Sequence, residues 1–332
     1  MTTQAYSADF DVRTFGAKAD GKTDDTKSAW MKACAADTPS KVVIGSWDYM
    51  VGSLSFEGPC KNKVTVHLEG TFKAPEDPKQ LQNSQNGWVI FRNVDGLNVL
   101  GGGTLDGQGA LAWSQNNCAT TGKCNSIANV VFASLTNSRI QELTSRDSKF
   151  FHMTIMNCKN LTLQGIKTAS ILTESTLADH WSRYKNRGRL CFDRQSVEIE
   201  DVTCGSGHGI SIGSLGRYHD EQPVYGITVR NATITGTSNG VRIKTWPASP
   251  SGIASNVHFE DITMKNVSNP VLIDQEYCPY GRCQAKMPSR VKISNLSFKR
   301  IHATSATQVA VKLACSRAIP CSNVSVEDVY LT

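Results

Sequence analysis

The 332-residue sequence is sparing with charge, 19% of positions, and with aromatic residues, 8%, and it has no apolar run approaching the roughly 18 residues of a membrane-spanning helix. Its start, Met1-Thr-Thr-Gln-Ala-Tyr-Ser7, lacks the apolar core of a signal peptide, which leaves a soluble protein or one from which a signal has been removed. Basic runs are missing too: the net charge of +6 is spread along the chain, which suits an acidic partner without demanding one and gives no nucleic-acid-binding block. No GxGxxG spacing opens a phosphate site. None of the 11 cysteines has the companions of a four-ligand zinc site. No metal or cofactor is therefore expected. What the chain does not lack is apolar content, 39%, so a disordered chain is excluded and one domain over 1–332 is expected.

Several cysteines fall in close pairs, Cys118 with Cys124, Cys278 with Cys283 and Cys315 with Cys321, spacings that suit small disulfide loops. The odd total leaves at least one thiol, and Cys158, inside an alternating segment, is the expected buried one. Asn-x-Ser/Thr sequons at Asn160, Asn231, Asn266, Asn295 and Asn323 join the cysteines in pointing to an oxidising secretory route.

From about Leu97 one pattern returns: an Asn or Ser, alternating apolar positions, then a small polar turn. KNLTLQGIKTA from Lys159, SVEIEDVTC from Ser196, GITVRNATITG from Gly226, NVHFEDITMKN from Asn256 and NVSVEDVYLT from Asn323 are examples. Alternation rich in Val, Ile and Thr is the strand period, and its recurrence marks a repeat architecture in which each unit buries its face against the next. A right-handed parallel β-helix fits. A β-propeller would need the tight hairpin signals that are scarce here. Ahead of the repeats, Thr26 to Ala36 reads as an amphipathic helix with Trp30 and Ala33 on one face, within a cap region over 8–60 that would close the open end of the stack. The glycines of GGGTLDGQG from Gly101 are read as tight turns between coils.

CGSGHGISIGSLGRY from Cys204, NGVRIKTW from Asn239, FGAKADGKTDDT near the start, LDGQGALAW from Leu105 and NPVLIDQEYCPYGRC from Asn269 lie in one collinear series. Together they closely resemble the plant polygalacturonases, glycoside hydrolases that cut homogalacturonan, and most of all the pollen exopolygalacturonases. The resemblance implies a parallel β-helix with an open cleft along one sheet. It also implies hydrolysis of α-1,4-linked galacturonic acid with inversion, and a secreted, monomeric protein of the plant cell wall. It gives roles to four residues: His208 matches a histidine that supports the catalytic carboxylates, Tyr277 a tyrosine that contacts the sugar, and Arg242 and Lys244 the cations that hold a substrate carboxylate. Physical reasoning agrees for the cations, since residues two apart on a strand share a face and two cations can meet one carboxylate. His208, between two glycines, stands where a backbone can come close to a ligand.

One window departs from that series. Inverting hydrolysis needs an acid to protonate the leaving oxygen and a base to activate water, roughly 6.5 to 9.5 Å apart. In the family these carboxylates lie in motifs of the form NTDGIHIG and GDDCVSIG upstream of the GHG histidine, and neither is present. Over 169–198 alternation gives way to ILTESTLADHWSRYKNRGRLCFDRQ. Joining the last base of each codon to the first two of the next lets Ser170 through His180 spell NTDGIHIGRS. Joining the last two to the first of the next lets Arg187 through Gln195 spell GDDCVSIG. Compensating single-base shifts are therefore inferred, and Asp179 and Asp193 are read as loop carboxylates outside any acid or base position. Two alternatives to the hydrolase stand: a pectin-binding β-helix without catalysis, and a pectate lyase, which would need a calcium site of several oxygen ligands.

Overall fold

The computed structural model describes residues 8–25, 29–81, 87–116, 127–170, 190–193, 196–279, 283 and 287–332. Among them, parallel strands form a seventeen-stranded and a nine-stranded sheet that the chain visits in turn as it coils. The nine strands follow chain order from Leu54–Glu57 to Val311–Ala314, so each coil adds one strand beside the last. The expected right-handed parallel β-helix is the fold. Parallel pairing begins as early as Ala8–Asp11 with Ser40–Ile44, inside the 8–60 region.

Alternation places every second side chain in the interior, and stacking of coils sets like residues above one another. Ile199, Val229, Phe259, Phe298 and Val326 are register partners in successive coils. Phe259 and Phe298 stack with ring centroids 5.3 Å apart. Phe56, Phe91 and Phe132 do the same near the other end. Offset ring pairs of this kind add stability beyond the area they bury.

The recurring Asn or Ser has a backbone cause. Asn137, Asn160, Ser196, Asn256, Asn295 and Asn323 all have φ between 49° and 57°. This left-handed conformation, tolerated best by Gly and Asn, turns the chain at the same point of each coil. The side chains then bond between coils: Asn160 Nδ2 donates to Asn137 Oδ1 at 2.8 Å, and Asn323 Nδ2 to Asn295 Oδ1 at 2.8 Å. A second turn series carries Asn231, whose Nδ2 donates to Asp201 Oδ1 at 2.6 Å. The five sequon asparagines are all such turn residues.

Glycine behaves as expected around Gly101, where φ is +114° and an added Cβ would lie 2.5 Å from the carbonyl oxygen of Leu68 in the preceding coil. The helix expected over Thr26–Ala36 is shorter. It spans Trp30–Cys34, with no side-chain cap, and residues 26–28 lie outside the described set. Trp30 and Ala33 are buried, and Trp30 packs edge-on to Phe56 in the first strand of the nine-stranded sheet. Cys34 is tied to Cys60 by a disulfide that pair spacing had not suggested; Cys278–Cys283 and Cys315–Cys321 form as expected. Cys118 and Cys124 lie outside the described residues. Cys158 is a buried free thiol, and so is Cys204. No described helix is long and apolar enough to cross a membrane.

Around the aberrant window the coils close up. Strand Lys159–Gln164 pairs directly with Val197–Gly207, and in the other sheet Leu190–Asp193 lies between Phe151–Met156 and Ile210–Leu215. Asp179 lies outside the described residues, whereas the backbone of Asp193 ends the strand Leu190–Asp193.

Candidate functional site

Strand Val241–Thr245 sends Val241 and Ile243 into the core and Arg242 and Lys244 to the outer face of the nine-stranded sheet. Both cations are nevertheless buried, Arg242 at 7% exposure and Lys244 at 0%. Charges are costly to remove from water unless other groups compensate them. Part of that compensation is aromatic. The guanidinium of Arg242 lies 5.8 Å, and the ammonium of Lys244 4.7 Å, from the ring centre of Tyr277. Arg242 Nε also donates to Ser211 Oγ at 3.2 Å across the strand pair that sets Ser211 opposite Arg242.

Tyr277 reaches this place because its backbone N–H donates to the carbonyl of Thr245 at 3.2 Å, folding the chain after Val271–Asp274 back over the sheet. Two residues earlier, buried Gln275 anchors that turn: its Nε2 donates to the Val291 carbonyl at 2.9 Å and its Oε1 accepts from Ser316 N at 2.9 Å. Trp246 continues the aromatic surface, edge-on to Tyr277 at 5.7 Å.

His208 lies just before strand Ile210–Leu215, with Nδ1 2.5 Å from Ser238 Oγ. The sequence suggested that its glycine neighbours admit a ligand. For Gly209 the structure gives a different occupant: at φ +67° an added Cβ would stand 2.0 Å from the carbonyl oxygen of Asn239, so the glycine admits the next coil. The fold thus gathers Arg242, Lys244 and Tyr277 into one cluster, and sets His208 at the opening of the strand beside them.

Sequence reasoning passed over Asp274. It pairs in register with Lys244 on the outer-face alternation, and its carboxyl is pushed up by burial against the opposing pull of the Glu276 amide and of Arg242 and Lys312. The signal was available in principle, since VLID repeats the in-out order of VRIK one coil earlier.

The sequence profile of glycosyl hydrolases family 28 matches residues 34–176 and 191–332. The chain belongs to this family. It is thus a glycoside hydrolase by family, and the interruption at 177–190 falls inside the aberrant window. An exopolygalacturonase of Arabidopsis thaliana is 51% identical over 97% of this chain and 76% of its own length. An exopolygalacturonase of Platanus acerifolia is 43% identical over 99% of this chain and 91% of its own. Among solved structures of like fold, endo-xylogalacturonan hydrolase from Aspergillus tubingensis superposes with a TM-score of 0.69 at 21% identity, covering 95% of this chain and 91% of that one.

Proposed function

We propose that the protein is a polygalacturonase by descent, built to hydrolyse α-1,4-galacturonosyl linkages of homogalacturonan with inversion, and that the chain as written keeps the grip on the polysaccharide but not its acid and base. The observation that carries the reading is the pair Arg242 and Lys244, buried on the outer face against the Tyr277 ring in a chain of family 28. Two cations and an aromatic face answer to a sugar that carries a carboxylate. The names of the relatives, exopolygalacturonases among them, support pectin as substrate, attack from a chain end and a place in the plant cell wall. His208, bonded to Ser238, is assigned the supporting role of the family's histidine.

Neither NTDGIHIG nor GDDCVSIG occurs in the sequence, and inversion requires two carboxyl groups on opposite faces of the sugar. General acid–base help is worth on the order of 10² to 10⁴ in rate. The chain as written should therefore bind polygalacturonate and release few or no reducing ends, whereas a version with both motifs restored in the window should release them. Equal hydrolysis by the two chains would sink the claim of lost carboxylates. Failure of both to bind polygalacturonate would sink the substrate. Sequencing the transcript from the codon of Gln164 to that of Cys204 tests the base shifts directly.

A further inference from the structure

A second cationic position adjoins the cluster. After strand Ile210–Leu215 the backbone N–H groups of Gly216, Arg217 and Tyr218 all donate to the Glu221 carboxylate, at 2.5, 2.9 and 2.9 Å. Consecutive amides converging on one anion form a nest, here filled by the chain's own side chain, so the turn has its shape without a ligand. The turn fixes where Arg217 leaves the backbone. Its guanidinium lies 5.3 Å from the ring centre of Tyr218 and 5.3 Å from that of Trp246. Glu221, the acid nearest in sequence after Asp220, has its oxygens on the turn amides, and no described carboxylate forms an ion pair with Arg217. Arg217 is exposed, and Tyr218 is 62% exposed.

Trp246 links this position to the first. Its backbone N–H donates to the Leu215 carbonyl at 2.8 Å, its ring meets Tyr277 at 5.7 Å, and its buried indole N–H has no partner among the described residues. Cations and rings therefore form one continuous row, from Lys244 and Arg242 through Tyr277 and Trp246 to Arg217 and Tyr218. Such a row suits an oligomer in which every sugar offers an apolar face and a carboxylate.

We propose that Arg217, with Tyr218 and Trp246, is a further subsite that takes the carboxylate of a second uronic acid when Arg242 and Lys244 hold the first; this rests on the reading of the cluster as a galacturonate site. The test is calorimetric titration of the full chain with galacturonate, tetragalacturonate and its methyl ester. Arg217→Gln should weaken tetragalacturonate about tenfold, the worth of one charge-assisted contact. It should leave galacturonate and the methyl ester unchanged, with an unaltered melting temperature. Unchanged tetragalacturonate affinity, or an equal loss for galacturonate, overturns the subsite. Lys244→Met serves as the control for the underlying reading. If that variant binds nothing while Arg217→Gln binds normally, only the subsite falls; if the unmodified chain binds no galacturonate oligomer, both fall.

Discussion

Glu200, Arg230, Glu260, Lys299 and Glu327 are register partners in one column of the seventeen-stranded sheet, whereas the outer face of the nine-stranded sheet sets Ser211, Arg242, Leu272 and Lys312 in one row and Lys244 beside Asp274 in another. In the first column the signs alternate from coil to coil. Arg230 reaches Glu200 at 3.0 Å and Glu260 at 3.6 Å, and Lys299 reaches Glu327 at 3.2 Å. Opposite charges on neighbouring strands satisfy one another, so that face is complete without a ligand. On the other sheet the cations gather against rings, a hydroxyl and a carboxyl that burial pushes toward neutrality. The same period-two backbone thus yields a wall of alternating ion pairs on one sheet and, on the other, the face to which the proposed function assigns an outside anion. The difference lies in which residues fill the outward positions.

The largest expected effect belongs to what both faces share. Phe259→Ala removes a fully buried ring from the stack, and about 3 to 5 kcal/mol of stability should go with it, read from urea unfolding. A loss under 1 kcal/mol would mean that the coils do not depend on their aromatic interior. Next comes His152, held down to about 4 by complete burial, with Nδ1 2.9 Å from Ser145 Oγ. Because its folded value lies below the unfolded one near 6.5, the unfolded chain takes up the proton first. Stability is full above about pH 6.5 and falls as the pH drops toward 4, by on the order of 3 kcal/mol in all. His152→Gln should flatten that part of the stability profile; an unchanged slope would place the acid sensitivity elsewhere.

The two sharper tests set the sheets against each other. Lys244→Met should lower affinity for tetragalacturonate by at least about tenfold. Arg230→Gln should leave that affinity untouched and cost under about 1 kcal/mol of stability, as for exposed pairs. Equal effects of the two on affinity would erase the division between a self-paired and a ligand-facing sheet.

Most of the coil was legible because one physical rule writes itself into sequence twice. Inward positions of a parallel stack must be apolar at every second residue, and each coil must turn at a residue that tolerates positive φ, hence the returning Asn, Ser and Gly ahead of each alternating run. The sequons share that origin, since Asn at the turn followed two residues on by an outward Ser or Thr is what such a coil produces. Legibility failed where conformation is settled at a distance. The helix at Trp30 stops short of the amphipathic pattern, and the Cys34–Cys60 bridge joins residues that only coiling brings together. Gly209 was read as making room for a ligand, whereas the carbonyl of Asn239, a coil away, fills the space. Asp274 and Arg217 stand inside NPVLIDQEYCPYGRC and CGSGHGISIGSLGRY yet drew no notice, because their interest comes from register and from the rings around them.

By itself the sequence determined the repeat, the outward direction of Arg242 and Lys244 and the family, because each of these is a matter of residue type and short-range spacing. Tertiary structure alone decided that Tyr277, thirty-odd positions from those cations, lies over both of them, that His208 is held by Ser238, and that Arg217 stands between two rings. Stacking places residues of successive coils about 4.8 Å apart, however many residues each coil spends on its loops, and that count varies from coil to coil.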